Sequence, residues 1–259
     1  MIFEFTSIKK RKWNKDMKYS LILPSYNESE SIVRTLDNLL KENIPSREIL
    51  VVDDKSPDGT FAIVQEYAKS HENIHAVLHD GERGLSPSVV YGFNKAKGEI
   101  LICMDADGQH RSCDLAKVLA EFEDPSLDMA IGSRHVAGGG FTEKWNFFRS
   151  LFSNTASLAA QIVLRTKVKD PMSGFFAVRK QSFGKVKDFL DPHGFKIMLE
   201  ICFLLSLCPE HKIKESPIIF AMREAGKSKL SAKIIHQYLA MLLKCFLRRG
   251  KLKKALGRH

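Results

Sequence analysis

Short apolar runs alternate with segments of helical periodicity through the first half of this chain, and this alternation limits its fold more than any other feature. Apolar residues between the runs recur at helical spacing, and Thr60 and Ser112 are expected to cap two of the helices. This order of elements predicts an α/β fold with a mainly parallel sheet and helices on both faces. The runs predicted to be buried strands are residues 18–24, 48–53, 74–79, 99–104 and 128–132.

The positive charge of the chain is concentrated near its two ends. The formal net charge is +10, residues 1–18 hold six Lys or Arg and two acids, and residues 244–259 hold seven basic residues and no acid. Basic ends of this kind fit an anionic membrane surface, or they are simply solvated segments. Nucleic acid is not an expected partner, because the sequence has no basic stripe interleaved with aromatic residues and no recognisable nucleic-acid module.

The cysteines and the apolar segments indicate the environment of the protein. Five cysteines are an odd number and widely spaced, which favours reduced thiols over a disulfide framework. The first residues place their charges after a short apolar run that contains Glu4, which is not the pattern of a secretory signal. No stretch reaches the roughly 20 apolar residues of a membrane span. We therefore expect a soluble or peripheral protein.

The chemistry is expected at the carboxyl ends of the strands, where open α/β sheets bind their ligands. The loop at residues 24–28 has no glycine, which disfavours a dinucleotide-binding dehydrogenase or a nucleotidyltransferase. Tyr26 and Glu28 can instead stack on a base and hydrogen-bond to a base or ribose. The local alternative is a proline turn that leads into a helix capped by Asn27.

Carboxylates follow the second and fourth predicted strands. Asp53 and Asp54 are explained either as local turn chemistry or as acceptors for a ribose diol. In an extended chain Asp105, Asp107 and Gln109 would share one face, because alternate side chains point the same way. Mg²⁺ typically binds one or two protein carboxylates and completes its shell with water and substrate phosphates. The sequence therefore predicts a metal and diphosphate site after the fourth strand.

Two segments late in the chain are basic. Residues 223–229 contain Gly-Lys-Ser but lack the first glycine of a phosphate-binding P-loop, so they are interpreted as a charged loop that lies near a diphosphate or is solvated. Residues 232–259 predict an amphipathic helix, which packs on the core or lies in a membrane interface. One face of that helix is polar and basic: Lys233, His236, Gln237, Lys244, Arg248 and Lys251. The apolar remainder comprises Ile234, Ile235, Tyr238, Leu239, Met241, Leu242, Phe246 and Leu247.

Several motifs in fixed order resemble the polyprenyl-phosphate mannosyltransferases, a branch of the inverting GT-A glycosyltransferases of family 2. The resemblance extends from about Lys18 to Ser231 and implies a GT-A fold with a Rossmann-like sheet. It implies a catalytic glycosyltransferase domain at 18–231, which the basic tail at 1–17 precedes and the amphipathic, basic helix at 232–259 follows. The motifs are LPSYNE (23–28), VVDDKSPDGT (51–60), MDADGQH (104–110), GSRHV (132–136), DPMSGFFAVRK (170–180) and the loop 223–230.

The resemblance also implies roles for single residues. The guanosine end of GDP-mannose would be held by Pro24, Tyr26, Glu28, Val52 and Asp54. The sugar diphosphate would meet Asp105, Ala106 and Asp107, and a divalent metal, Mg²⁺ or Mn²⁺, would bind Asp105, Asp107 and Gln109. Phosphate groups would be bound by Arg134, Arg223 and Lys229, and the lipid phosphate by Arg134, Arg149 and Ser153. The catalytic set would be Asp107, Arg223 and Lys229.

The implied reaction is transfer of mannose from GDP-mannose to dolichyl phosphate, with inversion, at the cytoplasmic face of the endoplasmic reticulum membrane. The implied partners are the membrane surface and small membrane-anchoring subunits. The alternatives are glucose transfer from UDP-glucose to the same lipid, and a catalytically inactive nucleotide-sugar-binding scaffold. The chain departs from the family pattern at Gly108, where leucine is frequent, and in lacking the C-terminal transmembrane helices of some relatives.

Overall fold

The computed structural model describes residues 18–42, 44, 47–142, 147–193, 196–221 and 232–257; for residues 147–155 and 232–234 it describes the backbone alone. The strands are β1 (Tyr19–Ser25), β2 (Arg47–Asp53), β3 (Ile74–Leu78), β4 (Ile100–Cys103), β5 (Met129–Ser133), β6 (Gly140–Phe141), β7 (Phe176–Arg179), β8 (Ile213–Pro217) and β9 (Ile219–Phe220). The helices are α1 (Ile32–Lys41), α2 (Thr60–Ala68), α3 (Leu85–Lys95), α4 (Ser112–Ala120), α5 (Phe147–Leu164), α6 (Lys180–Val186), α7 (Ile197–Leu205) and α8 (Ala232–Leu256).

Seven of these strands form one sheet in the order β3-β2-β1-β4-β7-β5-β8. Neighbouring strands are parallel except around β7, which runs antiparallel to both β4 and β5. The small strands β6 and β9 pair in parallel beside it. The predicted α/β fold is therefore confirmed, and each of the five predicted strands is present with its ends within one residue of the prediction. The antiparallel strand was not predicted.

Both faces of the sheet are covered, which explains why its strands read as continuous apolar runs. Successive side chains of a strand point to opposite faces. Ile22 and Leu101 accordingly belong to a core shared with α3, α5, α6, α7 and α8, whereas Leu21 and Ile102 belong to a core shared with α1, α2 and α4. The two cores cover the strands on both faces, and the carboxyl ends of the six parallel strands lie at one edge of the sheet together with the amino end of β7.

Two predicted helix caps are wrong. Thr60 and Ser112 are the first residues of α2 and α4, and the cap positions before them make no side-chain hydrogen bond to the helix. Their hydroxyls donate elsewhere, that of Thr60 to Asp58 at 2.6 Å and that of Ser112 to Glu42 at 2.9 Å. Asn27 does not cap α1 either, since it has a φ of 59° and the helix begins at Ile32.

The helix α8 packs on the core along only part of its apolar face. Tyr238, Leu242 and Leu256 are buried in the core that includes α5 and α7. Four other large apolar side chains of α8 are 54–70% exposed: Leu239, Leu243, Phe246 and Leu247. The predicted apolar face is therefore divided between core and solvent. Within the described part of the chain, no helix combines the length and the apolar character that crossing a membrane requires.

Candidate active site

The first loop of the site is tied to the second by backbone hydrogen bonds. The amide of Asn27 donates to the hydroxyl of Ser56, and the amide of Glu28 donates to the hydroxyl of Thr60, each at 3.0 Å. Tyr26 lies at the surface, where Arg83 donates to its hydroxyl at 2.8 Å and places its guanidinium 4.6 Å from the ring centre. The predicted residues at the ends of β1 and β2 therefore form one structural unit.

Pro24 and Val52 lie deeper than this loop. The two residues are paired across β1 and β2, and both are buried. The side chain of Val52 is fully buried against α3, where an added Cβ on Gly92 would lie 3.0 Å from it. Both residues therefore lie in the buried strands beneath the loop. Their contact with a guanosine stays a prediction.

The adjacent carboxylates Asp53 and Asp54 have different surroundings. Asp53 accepts hydrogen bonds from the amide and hydroxyl of Ser56, at 2.8 and 2.6 Å, and from the hydroxyl of Ser25 at 3.2 Å. Asp53 thus closes the turn after β2, as the local interpretation of this motif predicts.

Asp54 is held by three residues that sequence reasoning missed. His79 Nδ1 and the hydroxyl of Ser88 both lie 2.6 Å from Asp54 Oδ1, and the amide of Gly84 donates to Oδ2 at 3.0 Å. Asp54, His79 and Ser88 are all buried. The carboxylate is therefore fixed in one orientation at the carboxyl end of β2. No local signal marks these partners, because they lie 25 to 34 residues away in the chain.

The acidic loop after β4 does not have the extended conformation that the sequence argument assumed. The strand ends at Cys103, and Gly108 has a φ of 76°, which turns the chain where a side chain would be strained. Asp107 Oδ1 accepts the amide of Gln109 at 3.0 Å, and the Gln109 amide group donates to the Ala221 carbonyl at 3.2 Å. Asp105, Asp107 and Gln109 still share one loop at the carboxyl edge of the sheet.

Ala106 anchors this loop to α1. Its side chain is buried, and its carbonyl accepts hydrogen bonds from the hydroxyls of Thr35 at 3.0 Å and Ser31 at 3.4 Å. The Ser31 hydroxyl also lies 3.0 Å from a carboxylate oxygen of Glu28. The acidic loop and the first loop are therefore connected through α1, which brings the expected base-binding and diphosphate-binding residues to the same place.

His110 is a second functional candidate that the sequence did not reveal. Its Nε2 lies 3.2 Å from Asp105 Oδ2, and its ring makes edge contacts with Phe175 and Phe220. Gly174 approaches Asp105 so closely that an added Cβ would lie 2.7 Å from Oδ2. Asp105 therefore contacts both His110 and the loop that follows Asp170.

Arg134 and Asp170 form a buried ion pair at the start of that loop. Arg134 donates from Nε and from one terminal nitrogen to the two oxygens of Asp170, both at 2.7 Å. Burial alone would raise the pKa of Asp170, but the hydrogen bonds and charge of Arg134 outweigh it and lower that pKa. Asp170 was quoted in a motif but was given no role, and the structure makes it the partner of a predicted phosphate ligand.

Among the described residues, Lys196 is a second cation at this end of the site. Its Nζ lies 3.5 Å from the carbonyl of Met172, and it interacts electrostatically with Arg134, Asp105 and Asp170. Burial and the charge of Arg134 lower the pKa of Lys196 to about 8. Lys196 was not among the predicted site residues, because its position at the start of α7 carries no motif.

The donor atoms of the acidic loop fit a hard divalent cation. Among the residues that the structure describes, no group of three or more His, Cys, Asp or Glu side chains is arranged to hold a metal. A cation that needs only one or two protein carboxylates, and takes the rest of its shell from phosphates and water, does not require such a group. The carboxylates of Asp105 and Asp107 and the amide oxygen of Gln109 are oxygen donors of the type that Mg²⁺ and Mn²⁺ prefer.

Four predicted site residues cannot be placed by their side chains. Arg223 and Lys229 lie outside the described residues. Arg149 and Ser153 belong to α5, but their side chains lie outside the described part of the chain. Their assignments to phosphate groups stay predictions.

With this geometry established, the chain can be compared with known proteins. Residues 20–187 match the model of glycosyl transferase family 2. The chain belongs to glycosyl transferase family 2. The dolichol-phosphate mannosyltransferase of Pyrococcus furiosus is 38% identical over 243 residues, which cover 92% of this chain and 66% of that protein. The dolichol-phosphate mannosyltransferase of Saccharomyces cerevisiae is 35% identical over 238 residues, which cover 89% of this chain and 88% of that one.

Solved structures of two glycosyltransferases share the fold. A mannosyltransferase from Pyrobaculum calidifontis, in complex with GDP-Man and Mn²⁺, has a TM-score of 0.59 at 18% identity and covers 91% of this chain and 68% of its own. Glucosyl-3-phosphoglycerate synthase from Mycobacterium tuberculosis, with Mn²⁺, UDP and phosphoglyceric acid, has a TM-score of 0.64 at 17% identity and covers 88% and 78%. The predicted GT-A fold and glycosyltransferase family are thereby confirmed.

Proposed function

We propose that this family 2 enzyme transfers mannose from GDP-mannose to dolichyl phosphate. The observation that carries the proposal is the contact between Asp105 and the loop that follows Asp170, because it joins an acidic loop to the buried Arg134–Asp170 pair. Such a site has one end suited to a metal-bound diphosphate and another suited to a phosphate acceptor. The names of the two dolichol-phosphate mannosyltransferase relatives support the same substrates.

The residues proposed to bind the nucleotide lie in the loops that follow β1, β2 and β4. Tyr26 offers a ring to the guanine base, and Glu28 and Asp54 offer carboxylates to base or ribose hydroxyls. The His79 and Ser88 contacts fix Asp54 before the donor arrives, so less ordering is left for the bound complex. A donor bound in this way would have its diphosphate near Asp105, next to the loop that follows Asp170.

The acceptor needs no protein base. A phosphate monoester has a second pKa of about 6 and is largely dianionic at neutral pH. One of its oxygens attacks the anomeric carbon, the bond from that carbon to the GDP oxygen breaks, and GDP leaves with the electron pair. The configuration inverts in this single displacement. The protein lowers the barrier by alignment of the two substrates and by stabilisation of the diphosphate that departs.

Mg²⁺ or Mn²⁺ belongs to this proposal as the group that neutralises the departing diphosphate when it is bound. Asp105, Asp107 and Gln109 would hold it. Arg223 and Lys229 would add positive charge to the same phosphates. The complexes of the two structural relatives with Mn²⁺ support a divalent ion, and which of the two metals serves this protein is left to experiment.

The lipid acceptor calls for contact with a membrane, and α5 and α8 provide a suitable surface. These helices pack together, and six large apolar side chains on them are 54–70% exposed: Leu158, Ile162, Leu239, Leu243, Phe246 and Leu247. These six exposed apolar side chains, together with the basic residues of α8, fit a membrane interface. We place the protein peripherally on the cytoplasmic face of the endoplasmic reticulum, together with small membrane-anchoring subunits.

A transfer assay with two donors tests this function. Purified protein is incubated with Mg²⁺ or Mn²⁺, dolichyl phosphate, and labelled GDP-mannose or UDP-glucose in parallel. We expect label in the lipid phase only from GDP-mannose. Transfer only from UDP-glucose would assign the protein to the glucosyl alternative. No transfer from either donor, with or without microsomal membranes, would favour the inactive scaffold.

A further inference from the structure

Lys196 is well placed to act on a substrate, although no motif marks it. It is the residue directly before α7, and its ammonium group lies 3.5 Å from the carbonyl of Met172 in the loop that follows Asp170. Its charged neighbours are Arg134, Asp105 and Asp170. The ammonium group of Lys196 therefore lies beside the loop that follows Asp170 and near the charges of Arg134 and Asp105.

A phosphate that binds beside Arg134 would need positive charge from a second residue. Asp170 binds two nitrogens of Arg134 in a pair that is almost completely buried, so the charge of Arg134 is balanced by a carboxylate within the protein. Asp105 is a second anion near Lys196, and it also contacts His110. A dianionic phosphate that enters beside Arg134 requires further positive charge, since a buried anion is costly without a partner. Lys196 is the neighbouring cation.

The sheet order separates this cation from the nucleotide end. The loops that carry Tyr26, Asp54 and Asp105 follow β1, β2 and β4, which are adjacent strands. Arg134 and the loop after Asp170 belong to β5 and β7 on the other side of β4. Lys196 lies with this second group, and α7, which it precedes, packs on α8. The position matches the acceptor end of the site, next to the helices that carry the exposed apolar surface.

We propose that Lys196 binds the phosphate of the polyprenyl acceptor and, with Arg134, holds it for attack on the donor. This inference rests on the proposed function, since it assumes that a lipid phosphate is the acceptor. Lys196 adds the positive charge that the Arg134–Asp170 pair lacks for a dianion. It makes no covalent bond and accepts no proton.

Three variants test the inference. Lys196→Met removes the charge and keeps most of the stem, Lys196→Arg keeps the charge, and Lys180→Met removes a different lysine that donates to the Ala96 carbonyl at 2.6 Å, at the amino end of β4. Steady-state kinetics with each substrate varied in turn give separate KM values for donor and acceptor. Thermal unfolding shows whether each variant is folded.

We expect Lys196→Met to raise the KM for dolichyl phosphate about tenfold to a hundredfold, as the loss of a charge-assisted contact does. The KM for GDP-mannose should stay within about twofold, Lys196→Arg should recover most of the acceptor affinity, and Lys180→Met should behave like the wild type. An unchanged acceptor KM in Lys196→Met, or a change confined to the donor KM, would overturn the inference.

A binding measurement keeps this test independent of turnover. Farnesyl phosphate is a soluble probe with the same phosphate monoester, and its binding to the wild type in the presence of GDP can be measured by calorimetry. Weaker binding to Lys196→Met, restored in Lys196→Arg, supports the inference even if mannose transfer fails. Equal binding to all variants contradicts the inference. The proposed function is then tested separately by the transfer assay.

Discussion

The side chain of Arg134 donates two hydrogen bonds of 2.7 Å to the Asp170 carboxylate, and the Arg134 backbone amide donates a third at 2.9 Å. This one contact locks the loop after β5 to the loop before β7. The pair therefore supports the architecture of the acceptor end as well as its charge.

Asp170→Asn should destabilise the protein by about 3–5 kcal/mol, because it leaves the guanidinium of Arg134 buried without a compensating charge. Urea unfolding measures the change. The double variant Arg134→Met, Asp170→Leu removes both charges and should lose clearly less stability than Asp170→Asn. Equal losses in the single and double variants would show that the pair contributes through packing and not through charge.

Asp107→Ala should abolish mannose transfer and leave the fold intact. Its carboxylate belongs to the proposed metal site, and it accepts a hydrogen bond from the backbone amide of Gln109 at 3.0 Å. Transfer is measured with labelled GDP-mannose, and circular dichroism checks the fold. Glu66→Ala, which removes an exposed carboxylate on α2, serves as the matched control. Full activity of Asp107→Ala in excess Mg²⁺ and Mn²⁺ would exclude Asp107 as a metal ligand.

His79→Ala should raise the KM for GDP-mannose about tenfold and leave the acceptor KM unchanged. The substitution removes the 2.6 Å contact that orients the Asp54 carboxylate, and hydrogen bonds to charged groups contribute about 1.5–3 kcal/mol. His75→Ala, four residues earlier on β3, is the control and should have no such effect. If the two variants bind GDP-mannose equally well, Asp54 does not depend on His79.

Glu200→Gln should make the stability of the protein less dependent on pH. Burial raises the pKa of Glu200 to about 7, although the nearby charges of Arg248 and His193 oppose the rise. The folded state therefore retains a proton that the unfolded state has lost, and stability falls as the pH rises from about 4.5 to about 7. The variant keeps an oxygen for the Asp191 amide, which donates to Glu200 at 2.8 Å.

The gain of Glu200→Gln over the wild type should grow across that window and level off above pH 7, at no more than about 3 kcal/mol. Denaturant unfolding of both proteins at a series of pH values measures the difference. Parallel stability curves between pH 4.5 and 8 would mean that Glu200 does not titrate in this range.

The double variant Leu243→Glu, Leu247→Glu should lose binding to anionic vesicles of phosphatidylserine and phosphatidylcholine. Both side chains are more than half exposed, so the fold should be unaffected. Val33→Glu on α1 places a charge at another exposed apolar position and is the control. Cosedimentation of the double variant at the wild-type level would exclude this face of α8 as the membrane contact.

The order of elements and the acidic motifs could be predicted because they are local. An apolar run followed by acids is visible in the sequence, and it correctly predicted five strands and the positions of Asp54 and Asp105 at their ends. The conformation after β4 was predicted less well, because the strand ends at Cys103, before the acidic residues, and Gly108 at a positive φ then turns the chain.

The partners of the site residues could not be predicted, because they come from distant parts of the chain. His79 reaches Asp54 from 25 residues away, and Asp170 reaches Arg134 from 36. The antiparallel direction of β7 decides the second pairing, and nothing in its four residues indicates direction.

The position of β7 between β4 and β5 also bears on how the chain folds as it is made, since β5 is synthesised first. Strands β1, β2 and β3 pair only with strands that are made before β5, whereas β4 gains its second neighbour, β7, later. β5 emerges with neither of its eventual neighbours, β7 and β8, and all five of its residues are destined for burial. An unpaired apolar strand is prone to aggregate, so the nascent chain has to protect β5 until residues 176–179 pair with one side of it and residues 213–217 with the other.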